Sequence, residues 1–129
     1  MLAHLLSFAA IAVGGAAGAA ARFWLAGRID RSVGGALGLG TLCVNVSGCA
    51  AIGLLSILLD GSSGNQPSLW PLLVTGLLGS YTTVSAFSLQ ALLLFEDRRL
   101  GAALAHIAAS LLLCLAAAAG GRIFGLLVA

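Results

Sequence analysis

The stretch GSYTTVSAF, residues 79–87, lies in the middle of a segment that carries no charge from Leu72 to Phe95. Ser80, Thr82, Thr83 and Ser85 bring hydroxyls to it, and Thr82, Thr83 and Val84 are β-branched. With Gly79 they form a cluster of poor or middling helix formers. Hydroxyls also compete for backbone hydrogen bonds. Hydrocarbon holds no water to satisfy freed backbone groups, so a break at membrane depth is tolerated only where protein buries it or a water-filled cavity meets it. The stretch therefore predicts a spanning helix interrupted at mid-membrane. Carbonyls freed there can coordinate a cation, and the N-terminus of the second half-helix favours an anion. The other reading is a continuous helix whose hydroxyls bond back to their own turns.

The composition around this stretch supplies the membrane. The chain has 129 residues, 60% hydrophobic and 8% charged, with a mean hydropathy of +1.12. Soluble domains carry about a quarter charged residues. A spanning helix needs about 20 apolar residues, and Leu2–Leu25, Leu39–Leu59, Leu69–Phe95 and Ala102–Ala119 each qualify. The predicted fold class is an all-α membrane protein, with residues 1–129 forming a single four-helix transmembrane domain whose third helix is broken. Between the spans lie SVGGALG (32–38) and DGSSGNQPS (60–68), read as Gly/Ser/Pro loops, and EDRR (96–99), read as a charged turn. The first span lacks a basic leading segment and is longer than a signal-peptide core, so it reads as a retained span. The sequence carries no soluble-enzyme motif and no internal repeat, and the protein is not expected to be an enzyme.

All six basic residues are arginines. Arg28 and Arg31 fall in the first loop with Arg22 at its edge, and Arg98 and Arg99 fall in the third; Arg122 alone lies on the other side. The positive-inside rule puts the arginine-rich side in the cytoplasm and both chain ends outside. Cys43, Cys49 and Cys114 lie inside spans at spacings that fit neither a zinc site nor a disulfide framework, and read as small packing residues.

Two polar stripes cross the apolar helices. Thr41, Asn45, Cys49 and Gly53 recur every fourth residue and share one face of span 2. An unpaired amide in hydrocarbon costs several kcal/mol, about 4–8 on an alkane scale, so Asn45 has a partner. It serves either as a hydrogen bond between helices or as the wall of a polar path. His106, Ser110, Cys114 and Ala118 repeat the spacing in span 4. His106 is either a proton-sensitive group or a neutral hydrogen-bonder, since no acid shares its stripe. Phe87 is either core or an aromatic edge facing an anion. Gly14 and Gly18 make a GxxxG step, and Gly76 and Ser80 a small-xxx-small step, which permit close helix approach.

GGAAGAAAR at 14–22, GTLCVNVSG at 40–48 and GLLGSYTTVSAFS at 76–88 occur in order over nearly the whole chain. Together they resemble the small bacterial fluoride channels of the Fluc (CrcB) family. The resemblance implies a dual-topology, antiparallel homodimer in the bacterial inner membrane, with two fluoride pores along the interface between copies. It implies a structural, untransported sodium ion held by the backbone carbonyls of Gly79 and Thr82. The pore-lining residues it implies are Asn45, Phe87, Thr83, Ser85, His106 and Ser110. Val84 departs from the family, standing where the first of two pore phenylalanines is usual. His106 stands where tyrosine is frequent, and Cys114 where serine is frequent. Arg22 matches the family's first-span arginine. The partners expected are fluoride, the lipid bilayer and a second copy, with no nucleic acid. The arginine bias sits badly with insertion in both directions and admits a heterodimer with an oppositely oriented paralogue.

The physics of such a pore is coherent. Fluoride is small and strongly hydrated, so amide and hydroxyl donors must replace its water. Conduction needs exit as well as entry, and a central cation raises the local potential without blocking the path. Two rival classes remain. A small proton-coupled multidrug exporter needs a membrane-embedded acid, whereas Asp30, Asp60, Glu96 and Asp97 lie in or beside the loops. A purely structural membrane subunit explains the glycines but not the polar cluster at 79–85 beside Asn45.

Overall fold

The computed structural model describes residues 1–35, 37–59 and 69–129; the stretch 60–68, read from the sequence as a loop and including Asp60, lies outside the described residues. Helix α1 spans Leu2–Val33, α2 Leu39–Leu58, α3 Gly79–Tyr81, α4 Val84–Glu96 and α5 Leu100–Val128, and a π-helix, Pro71–Leu78, precedes α3. No strand occurs among the described residues. Among the described residues, four helical stretches are long and apolar enough to cross a membrane: Leu2–Val33, Leu39–Leu58, Pro71–Glu96 and Leu100–Val128.

Two helices are longer than their apolar cores. Helix α1 runs on to Val33, so Arg28, Asp30 and Arg31 lie on its last turns and not in a loop. Arginine is a good helix former, and a cation in the last turn suits the helix dipole. The helix stops at Gly34, whose φ of 85° is a left-handed cap. Helix α5 continues to Val128, so Arg122 is helical too. Asp30 uses its position: its Oδ1 accepts the Gly40 N–H at 2.9 Å, satisfying one of the orphan donors in the first turn of α2.

Helices are held by backbone contact at glycines. A Cβ on Gly14 would collide with the Leu72 carbonyl oxygen and one on Gly18 with the Leu77 carbonyl oxygen, while Gly76 lies against Ile11 in return. The GxxxG step of α1 is thus spent on the π-helix of its own chain. On the other side of the molecule, Gly53 faces the Ala118 carbonyl, Gly121 the Ala50 carbonyl, and Gly125 lies beside Ile57. From Gly53 against Ala118 to Ile57 against Gly125 both helices climb, so α2 and α5 run parallel in tight contact. Lipid supplies little apolar driving force between helices, and close backbone packing takes its place.

The apolar core is correspondingly small: Val44, Val74, Leu78, Ala91, Leu94 and Ala103. Large apolar side chains instead cover the outside, among them Leu5, Phe8 and Phe23 on α1 and Leu104, Leu112 and Leu115 on α5. Such a surface suits hydrocarbon.

Candidate ion path

Helical geometry lapses at two residues. Thr82 (φ −77°, ψ 152°) and Thr83 (φ −149°, ψ 121°) are extended, between the end of α3 at Tyr81 and the start of α4 at Val84. What holds them open comes from α2. The Asn45 Nδ2 donates to the Thr83 carbonyl at 2.9 Å, and the Thr83 N–H donates to Asn45 Oδ1 at 2.7 Å. Both ends of one side-chain amide thus satisfy both backbone groups of one residue. The pairing also fixes the amide's orientation, because a flipped Asn45 would set donor against donor. One Nδ2 hydrogen remains uncommitted by this pair.

The accounting of backbone groups continues from there. The Thr83 Oγ1 accepts the Ala86 N–H at 3.2 Å and caps α4. The Thr83 and Ala86 N–H groups are the donors that a continuous helix would give to the carbonyls of Gly79 and Thr82. Side chains have captured both. The two carbonyls, on exposed Gly79 and half-buried Thr82, are left without their helical partners. Elsewhere the segment is tied down: the Thr82 Oγ1 donates back to the Leu78 carbonyl at 3.0 Å, and Tyr81 Oη meets Ser47 Oγ at 2.9 Å. Gly48 makes room for the crossing, since a Cβ there would collide with the Thr82 methyl.

These elements border an open-sided cavity of about 630 Å³, lined among others by Asn45, Gly79, Thr82, Thr83, Val84, Phe87 and Ser110, with Cys49 and Cys114 on its wall. Among the described residues no charged one lines it. Thr83 and Ser110 are buried, whereas Gly79 is exposed and Val84 is 77% exposed at the rim. Asn45, Thr83, Phe87 and Ser110, proposed from the sequence as pore-lining, therefore meet around one space, and so do Gly79 and Thr82. Ser85 and His106 are not among its lining residues. Ser85 is exposed on the first turn of α4, its Oγ 3.1 Å from Thr83 Oγ1. His106 lies behind Phe87, ring centroids 5.6 Å apart and planes at 23°. It is 6% exposed, and its Nε2 has no hydrogen-bond partner among the described residues.

Sequence reasoning missed Ser47, Tyr81 and Gly48 as supports of the interruption. The signal for Gly48 was available, a glycine one turn from Asn45 in a helix with no need of a cap. The facing of Cys49 and Cys114 was also missed, although each stripe had placed its cysteine one turn from a polar residue.

A family model described as "CrcB-like protein, Camphor Resistance (CrcB)" matches residues 9–122, from the early turns of α1 to the later turns of α5. The chain belongs to the CrcB family. Among CrcB-family relatives, "Fluoride-specific ion channel FluC 2" of Rhodopseudomonas palustris is 44% identical over 113 residues, covering 86% of each chain. "Fluoride-specific ion channel FluC" of Paracoccus denitrificans is 43% identical over 122 residues, 92% of this chain and 94% of that one. A FluC 2 of Bradyrhizobium diazoefficiens is 42% identical over 114 residues, 87% of this chain and 83% of its own. The matched range contains Asn45, the extended pair at Thr82 and Thr83, and Phe87.

Proposed function

We propose that the chain is a fluoride-selective channel through which fluoride leaves the cell by passive electrodiffusion. The observation that carries this reading is the double hydrogen bond from Asn45 to Thr83, which holds an opened backbone and a few polar side chains on the wall of a largely apolar cavity. The kinship to proteins named fluoride-specific ion channels supports the choice of ion. Asn45, Thr83 and Ser110 present amide and hydroxyl donors, and Phe87 offers the positive edge of its ring to an anion. In this reading the third span is broken at mid-membrane, Ser85 extends the polar path outward, and His106 backs the Phe87 ring with a nitrogen free for a further hydrogen bond. The absence of a fixed cation from the cavity wall leaves the ion free to depart, as conduction requires.

The residues also fit a sodium ion. The Gly79 and Thr82 carbonyls lack their helical donors, border the cavity and are the hard oxygen ligands that such a cation takes. They would hold it there, and bound sodium would supply positive potential beside the path without being transported.

A second copy inserted antiparallel completes this account. Gly79 and Ser85 are exposed in the single chain, and polar backbone and hydroxyls facing lipid are costly. A partner's surface would cover them and close the open side of the cavity. The arginine bias favours a single orientation by the positive-inside rule, so a paralogue of opposite orientation is the alternative partner. The location in this reading is the inner membrane of a bacterium. Growth rescue is the test: expression in a bacterium deprived of its own fluoride exporter should restore growth in millimolar-range fluoride. Continued sensitivity despite membrane-inserted protein would contradict the reading.

A further inference from the structure

Cys49 on α2 and Cys114 on α5 line the same cavity. The helix register puts the two positions at the same level on neighbouring helices. Gly53 rests on Ala118, the helices run parallel, and each cysteine lies one turn before its helix's contact residue. Both cysteines are free and half-buried, whereas Cys43 is free and exposed on a different face. We propose that Cys49 and Cys114 form a two-thiolate binding site for soft, linearly coordinated metal ions of the mercuric class, set in the wall of the candidate ion path.

The chemistry selects that class. Thiolates favour soft ions. Zinc in a structural site takes four ligands in a tetrahedron, and no group of three or more His, Cys, Asp or Glu gathers among the described residues. A mercuric ion needs only two sulfurs in line. Binding deprotonates both thiols: two S–H bonds break, two S–Hg bonds form, and two protons leave to solvent. The product is neutral, as a low-dielectric wall demands, since an uncompensated buried charge is costly. No oxidant or reductant takes part. Two sulfurs held on rigid helices act at high effective concentration, so the pair outcompetes separate monothiols.

The test uses the purified full-length protein in detergent. It is loaded with mercuric nitrate, challenged with a molar excess of glutathione and desalted, and the retained mercury is measured. Wild type and Cys43→Ser are expected to retain one ion per chain, while Cys49→Ser, Cys114→Ser and the alanine variants at both positions lose at least about tenfold in retention. Zinc nitrate treated identically should leave none. Retention by the Cys49 or Cys114 variants equal to wild type, loss in Cys43→Ser, or no retention by wild type would each overturn the site. Each variant's elution as a folded species by gel filtration accompanies the measurement.

The placement of this site beside the ion path rests on the fluoride-channel reading, and a second readout separates the two. In liposomes that show fluoride efflux, mercuric loading should halt it in wild type and Cys43→Ser. Retained mercury with undiminished efflux would overturn the location on the conducting path while leaving the metal site. Liposomes with no efflux at all would contradict the channel reading, and the retention result would still decide the metal site.

Discussion

Truncation of Asn45 to alanine removes the two hydrogen bonds that hold Thr83 out of the helix. Thr83 is 8% exposed, so its N–H and carbonyl have no ready access to water. Each buried group left unsatisfied costs about 1–3 kcal/mol, about 2–6 kcal/mol for the pair. One relief is open to the chain. The Thr83 N–H can return to the Gly79 carbonyl, fusing α3 to α4 and recovering a bond worth about 1 kcal/mol net. That relief consumes the carbonyl proposed for sodium and draws the extended residues off the cavity wall. Even a 2 kcal/mol bias towards the fused helix leaves less than about a tenth of molecules open, since about 1.4 kcal/mol is tenfold. Fluoride efflux from liposomes carrying Asn45→Ala is therefore expected to fall at least about tenfold, with protein still folded by gel filtration. Asn45→Asp keeps the acceptor for the Thr83 N–H but loses the donor to its carbonyl and sets negative charge beside the anion path, so its efflux should fall at least as far. Wild-type efflux from folded Asn45→Ala would refute the claim that this amide holds the path open.

Adjacent glycines on α5 give a second prediction. Nothing lies within 4 Å of a Cβ at Gly120, whereas one at Gly121 would strike the Ala50 carbonyl. In thermal melts in detergent, Gly120→Ala should stabilise by up to about 1 kcal/mol through helix propensity, and Gly121→Ala should destabilise by about 1–3 kcal/mol through overpacking; equal effects would count against backbone contact between α2 and α5. Thr83→Val removes the cap on the Ala86 N–H, with an expected loss of about 1 kcal/mol and slower efflux; an unchanged melting temperature would argue against the cap. Val84 is exposed at the cavity rim, so Val84→Phe has room for a ring and should keep or raise the efflux rate. A folded Val84→Phe with abolished efflux would show that the rim is already closed by something other than lipid.

Much of this architecture was legible in the chain because membrane solvation is a severe filter. Apolar length alone located four spans, and the hydroxyl and β-branched cluster coincides with the extended residues Thr82 and Thr83. Charge was a poorer guide to helix ends. Arg28, Asp30 and Arg31 looked like loop, yet a helix leaving the hydrocarbon continues in water until something stops it, here Gly34 in a left-handed conformation. The π-helix at Pro71–Leu78 had no signal, because its mostly apolar residues do not distinguish it from an α-helix, while its backbone packs against Gly14 and Gly18 of α1. Asn45 was recognised as needing a partner, but periodicity concerns one helix at a time. That the partner is the Thr83 backbone, 38 positions away, follows only from the crossing of α2 with the interrupted segment. The same limit hid the stacking of His106 on Phe87 and the cavity wall shared by Cys49 and Cys114.

The central claim is that this chain makes a selective path for fluoride, and efflux from reconstituted liposomes tests it most directly. Vesicles loaded with potassium fluoride and sodium are given valinomycin to carry the compensating charge, and an electrode follows fluoride in the bath; potassium chloride vesicles are the control. The account predicts prompt fluoride release and no chloride release. Retention of fluoride by vesicles containing folded protein, or release of both halides alike, would contradict it.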